Sequence, residues 1–140
     1  MVHDRVPLDH DVLMRVAEAV FGGEKSAPLD VSLVVVDDAE SRRVNVEHLG
    51  HDWVTDVIAF DLRDETVDER GPDGEVYVNG ELAAREAAAR GCEASSELLF
   101  YIVHGLLHLL GYDDATPAER GRMHALQRHY LESAGVIPPN

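Results

Sequence analysis

His104 and His108 stand four residues apart in the otherwise apolar run 98–110 and are followed by Gly111-Tyr112-Asp113-Asp114. On a helix that spacing stacks both imidazoles on one face, so a single ion can accept both ring nitrogens. Gly111 can adopt the left-handed conformation that ends a helix, after which the chain can turn back and bring Asp113 or Asp114 to the same ion. Three protein ligands with a fourth position left open make a catalytic rather than a structural zinc site.

The competing reading is a pair of core histidines hydrogen-bonded to backbone carbonyls. The helix from about residue 96 to 110 is apolar on nearly every side, with Leu98, Leu99, Ile102, Val103, Leu106 and Leu107 among its residues, which marks it as a central, buried element. A buried polar group without a partner costs about 1–3 kcal/mol, and a shared cation satisfies both rings together. An ion held by two neutral imidazoles and a carboxylate lowers the pKa of a bound water to about 7 and polarises a phosphoryl oxygen. In metalloproteases the pattern His-Glu-x-x-His supplies a glutamate base, but here Gly105 occupies that position. Phosphodiester hydrolysis, driven by a metal and a cation that stabilises charge on phosphate, suits this pattern better than peptide hydrolysis.

The segment His104-Gly105-Leu106-Leu107-His108-Leu109-Leu110-Gly111-Tyr112-Asp113-Asp114 resembles the signature of the YbeY family of bacterial single-strand endoribonucleases, His-Gly-x-Leu-His-Leu-x-Gly-Tyr-Asp-His, at every fixed position but the last. Val44-Asn45, Thr55-Asp56-Val57-Ile58-Ala59-Phe60 and Gly74-Glu75-Val76-Tyr77-Val78 resemble further family segments in the same order, so the likeness covers roughly residues 30–130. It implies a zinc-dependent endoribonuclease, one ion per chain, acting on single-stranded ribosomal RNA in maturation of the 16S 3′ end, with the ribosome or ribosomal proteins as partners. It also implies His104 and His108 as catalytic metal ligands and Asp114 as the third ligand, in place of a family histidine. His124 is the alternative third ligand, and Asp113 is a catalytic candidate, as a base or as a partner to a ligand. Two histidines and one carboxylate also suit Fe2+. Leu49 falls where the family has an arginine directed at RNA phosphate, which leaves Arg42, Arg43 or His51 to substitute; Thr55 and Asp56 match the family and are expected to contact substrate. Ala59 and Asp61 depart from its serine and proline. Two rival readings follow from these departures: a metal-dependent hydrolase of another substrate, or a non-catalytic, metal-stabilised module of the ribosome.

The formal net charge of −15 excludes passive nucleic-acid binding, which draws its affinity from Lys and Arg neutralising phosphates. An RNase of this composition needs a local basic groove, for which Arg42, Arg43, Arg85, Arg90, Arg120, Arg122 and Arg128 are the candidates, although neighbouring glutamates can consume most of them. At 140 residues, with no linker or repeat, a single domain spanning 1–140 is expected. The single Cys92 excludes an internal disulfide and reads as a packing residue. No apolar run is long enough to span a bilayer, and Met1-Val2-His3-Asp4-Arg5 lacks the features of a signal peptide, so a cytoplasmic protein without membrane contact is expected.

The elements that position this chemistry are legible from caps and periodicity. Asp9 caps a helix to about Phe21, residues 31–36 are a β-branched strand, and Asp37 or Asp38 caps a helix from about Ala39 to His48. Residues 54–60 read as a second strand, 61–73 as a turn-rich connection and 75–79 as a third strand that forms a hairpin with the second. Helices follow over 81–90, from Ser95 or Ser96 to Leu110, and from the capping box Thr116-Pro117-Ala118-Glu119 to about Ala134. The order predicts an α+β fold, a small mixed sheet packed with helices, with the histidine helix at its centre.

Overall fold

A computed structural model describes residues 8–63 and 71–139. Within them the elements are α1 (His10–Gly23), β1 (Val31–Val36), α2 (Asp38–Leu49), β2 (Val57–Asp61), β3 (Gly74–Asn79), α3 (Gly80–Arg90), α4 (Ala94–Leu109) and α5 (Pro117–Ser133). The Asp9 and Asp37 carboxylates and the Asn79 amide oxygen accept the first free backbone N–H groups of α1, α2 and α3, and Thr116 with Glu119 closes a full capping box on α5. Most of the expected turn-rich connection, residues 64–70, and the expected leaderless start Met1–Arg5 lie outside the described residues.

The three strands form one mixed sheet in the order β1-β3-β2, with β1 parallel and β2 antiparallel to β3. β3 takes the centre because it is the strand with both edges paired, and its alternate residues Val76 and Val78 are fully buried. α4 lies across this apolar face. It can approach closely because residue 105 is glycine: a Cβ there would sit 2.6 Å from Val76 Cγ1 and 3.1 Å from Val57 Cγ2. α1, α3 and α5 pack against the remaining sides of α4, so that Leu98, Val103 and Leu107 have no exposed surface.

Two boundaries differ from the sequence expectation. β2 starts at Val57 rather than Val54, because the preceding carbonyls are claimed by α2: Asn45 Nδ2 donates to Trp53 O at 3.0 Å and Ser41 Oγ to Thr55 O at 2.8 Å. α4 starts at Ala94, and Glu93 occupies the N-cap without a side-chain cap. The left-handed Gly91 lets the chain re-enter a helix at once, which places Ser96 inside the first turn, nearly buried, instead of at a cap.

Candidate metal centre

His104 and His108 occupy the last two turns of α4, with ring centroids 4.6 Å apart. The helix ends at once after them. Gly111, at φ 100°, turns the chain, and Tyr112 N donates back to Leu107 O at 3.0 Å. That turn returns the Asp114 carboxylate to the histidines: His104 Nε2 lies 3.0 Å from His108 Nε2 and 3.1 Å from Asp114 Oδ2, and His108 Nε2 lies 3.6 Å from the same oxygen. Ligands bound tetrahedrally at about 2.0–2.1 Å stand about 3.3 Å apart, so the three atoms already have the spacing of a zinc site.

Protonation decides between an ion and a hydrogen-bonded core pair. Gln127 Nε2 donates to Phe100 O at 3.0 Å, which fixes the amide and directs Gln127 Oε1 at His104 Nδ1, 3.2 Å away. His108 Nδ1 sits 2.9 Å from the carbonyl of Tyr112. Both Nδ1 atoms face acceptors and so carry protons, which in a neutral ring turns each Nε2 lone pair toward the other and toward a carboxylate oxygen. Three acceptors converging with no donor among them is the arrangement that a cation resolves, and backing of each imidazole through its other nitrogen is what metal-binding histidines need. The donor set of two imidazoles and one carboxylate fits zinc and also Fe2+.

His104 and Asp114 open onto a cleft of about 480 Å³ between α3, α4, α5 and the segment 54–56. Thr55, Asp56, Tyr101, Arg120 and His124 line it. Asp56 Oδ1 accepts from Val57 N at 2.9 Å, with the Thr55 hydroxyl 3.3 Å away, which holds both residues at the rim. Arg90 also lines the cleft, but its guanidinium is engaged by Glu97 at 3.2 Å and Glu86 at 3.3 Å. Burial and a hydrogen bond to Glu97 push the Tyr101 phenol well above its ordinary range, so it stays protonated at neutral pH. A larger, mostly apolar cavity of about 580 Å³ beneath α1, lined by Leu13, Phe21 and Ile102, holds no histidine.

The remaining sequence candidates fall elsewhere. Asp113 is exposed and outside the converging set. His124 lines the cleft with its ring edge-on to Phe100 at 5.4 Å and is likewise outside that set. Arg42 and Arg43 do not line the cleft. Arg42 pairs with Asp52 at 2.6 Å, while Arg43 pairs with Glu47 at 2.6 Å and with Glu40. Leu49 ends α2 about half exposed, and the His51 ring stacks on Trp53 at 4.4 Å. Two groups escaped sequence reasoning, Gln127 and the Tyr112 carbonyl. Gln127 had a signal: it is a polar residue on the buried stripe Met123, Gln127, Tyr130 and Leu131 of α5, where an apolar one belongs.

The family sequence model described as endoribonuclease YbeY matches residues 6–135. The chain belongs to the endoribonuclease YbeY family. It is 37% identical over 141 aligned positions to the endoribonuclease YbeY of Salinibacter ruber, covering 97% of this chain and 88% of that protein. To the endoribonuclease YbeY of Geobacter sulfurreducens it is 36% identical over 140 positions, covering 95% and 93%. The solution structure of TM1509 from Thermotoga maritima superposes with a TM-score of 0.62 at 27% identity, covering 89% of this chain and 79% of that one. Membership in the YbeY family agrees with the α+β architecture. Among the described residues no helix is long and apolar enough to cross a membrane.

Proposed function

We propose that this YbeY-family chain is a zinc-dependent endoribonuclease that hydrolyses single-stranded ribosomal RNA, in maturation of the 16S 3′ end, with residues 1–140 acting as one domain in the cytoplasm alongside the ribosome. The observation that carries this reading is the convergence of His104 Nε2, His108 Nε2 and Asp114 Oδ2 at the mouth of an open cleft, with each Nδ1 backed by an acceptor. His104, His108 and Asp114 would hold the ion, which when bound supplies an acidified water and a Lewis acid for a phosphoryl oxygen. Gln127 and the Tyr112 carbonyl keep each imidazole in the tautomer that presents Nε2, so ligand orientation is set before any ion arrives. Thr55 and Asp56 supply polar contacts along the opposite rim. The Asp114 carboxylate lowers the formal charge of the centre by one relative to a three-histidine site, which favours tight metal binding over an acidic water. Asp113, Arg42 and Arg43 receive no role in binding or catalysis here, since none lines the cleft.

Gly105 argues against a peptidase. The glutamate base of that chemistry has no room at a position where even a Cβ would press on Val76. Protein stripped by a chelator and then reloaded with zinc, assayed on matched single-stranded and double-stranded RNA, tests the proposal. Cleavage of the single strand that disappears on stripping and returns on reloading is expected. A reloaded protein that holds one ion and cuts neither RNA overturns it and favours a hydrolase of another substrate or a metal-stabilised ribosomal module.

A further inference from the structure

RNA approaching this cleft meets an acidic protein, so the cations that reach the cleft decide whether phosphate can settle beside the ion. Among the described residues two guanidinium groups line it, Arg90 and Arg120. Arg90 is neutralised by Glu86 and by the buried Glu97. Among the described residues Arg120 has no carboxylate partner: its Nη1 donates to the backbone carbonyls of Asp114 at 3.3 Å and Ala115 at 3.2 Å, while Nε and Nη2 have no protein partner there. Two carbonyls thus hold one edge of a planar fork on the loop that carries a metal ligand and leave the other donors for an anion.

The charges of the cleft point the same way. Asp56 and Asp114 are its carboxylates without a guanidinium partner, and together they cancel the charge of one divalent ion. Glu86 and Glu97 outweigh Arg90 by one charge, so Arg120 is what brings the ion-loaded cleft to neutrality, and without it the lining would be net negative. α5 presents the residue on a single face, since Arg120, His124 and Gln127 follow at helical spacing and all three line the cleft. The helix that orients His104 through Gln127 therefore also carries the cation.

Resting on the reading of the site as a ribonuclease, we infer that Arg120 is the phosphate-binding residue of this cleft, gripping an RNA phosphate beside the metal through its free Nε and Nη2 donors. A fork of this kind recognises a phosphate bidentately, which a lysine at the same place cannot reproduce.

The test uses zinc-loaded protein and a phosphorothioate-linked single-stranded RNA oligomer, which keeps one charge per linkage and resists hydrolysis. Binding is measured across a salt series, with zinc affinity read separately by chelator competition. Arg120→Ala should bind the oligomer about tenfold more weakly, and the slope of log affinity against log salt should flatten by about 0.7. Its zinc affinity should match the parent. Arg120→Lys should keep the slope but recover only part of the affinity. Arg15→Ala, an equal charge change at an exposed position of α1 outside the cleft, should leave both unchanged. Unchanged oligomer binding in Arg120→Ala overturns the inference. So does a parallel loss of zinc, which would make Arg120 a brace for the Asp114 loop. If the parent protein neither binds nor cuts single-stranded RNA, the ribonuclease reading itself fails; if it does both and Arg120→Ala does the same, only the role of Arg120 is lost.

Discussion

The loop end of α4 and the outer face of α2 carry similar numbers of polar side chains and use them in opposite ways. At the end of α4, His104, His108 and Asp114 turn toward one another, and with neutral rings they present three acceptors and no donor, so the group is incomplete by itself. On α2 the cations are already matched: Glu40 and Glu47 take up the donors of Arg43, and Asp52 accepts from Arg42 Nε. A functional group is recognisable by the interaction it lacks, and on this charged surface helix each guanidinium already has a carboxylate beside it. The same contrast separates Arg120 from Arg90 inside one cleft.

The largest effect should come from breaking the incomplete group. His108→Ala removes a ligand and leaves the His104 and Asp114 acceptors facing a gap. Zinc affinity should fall by more than the roughly 10–100-fold that loss of an outer partner costs, and RNA cleavage should vanish with it. Elemental analysis and chelator competition measure the first. Asp114→Ala should behave alike while His124→Ala keeps its zinc; the reverse pattern would move the third ligand onto α5.

Gln127 sharpens the comparison because it belongs to the metal corner without touching the ion. Gln127→Leu removes the acceptor of His104 Nδ1 and the donor to Phe100 O from a buried site, freeing the imidazole to choose the other tautomer. Zinc affinity should drop by about 10–100-fold. Gln127→Glu keeps an oxygen for His104 and should recover part of that loss. Equal zinc affinity in the parent and Gln127→Leu would mean that the tautomer is set without it.

The contrast also explains what could be read in advance. Caps at Asp9, Asp37 and Thr116 are local, satisfied within three residues, and the helices they start lie where composition places them. The histidine pair was legible because four-residue spacing on an all-apolar helix leaves few alternatives. The start of β2 was not legible, because Val54 is apolar but the carbonyls on either side of it belong to Ser41 and Asn45, residues 14 and 8 positions from their partners. Strand order β1-β3-β2 has no local signal either, since β1 pairs with a strand 43 residues later across an intervening helix and strand. Arg42 and Arg43 resembled substrate ligands because sequence counts charges without counting the partners that cancel them.

Gly105→Ala opposes two effects of known sign. On an exposed helix alanine would gain about 1 kcal/mol over glycine in intrinsic propensity. Here the new methyl would sit 2.6 Å from Val76 Cγ1, and overpacking of that kind costs about 1–3 kcal/mol. Net destabilisation in a denaturant melt is therefore expected, with a slight outward shift of α4 that loosens zinc binding. A stabilised Gly105→Ala would mean that α4 does not press on β3 as closely as its packing indicates.

The smallest effect belongs to α2. Arg43 is half exposed and fully paired, and its guanidinium is held even more firmly protonated by the hydrogen bonds it donates to Glu40 and Glu47, so Arg43→Ala removes a cation that was already neutralised. Cleavage rate and its salt dependence should stay at parental values. Leu49→Arg is the complementary change, since it adds a guanidinium at the end of the same helix, where the side chain is half exposed and does not line the cleft. It should raise RNA affinity modestly, by less than Arg120→Ala lowers it, because a cation outside the cleft acts through screened, long-range attraction rather than contact. If Arg43→Ala reduces cleavage as strongly as Arg120→Ala, RNA must engage α2 directly, and an arginine paired in the free protein must exchange its carboxylates for phosphate on binding.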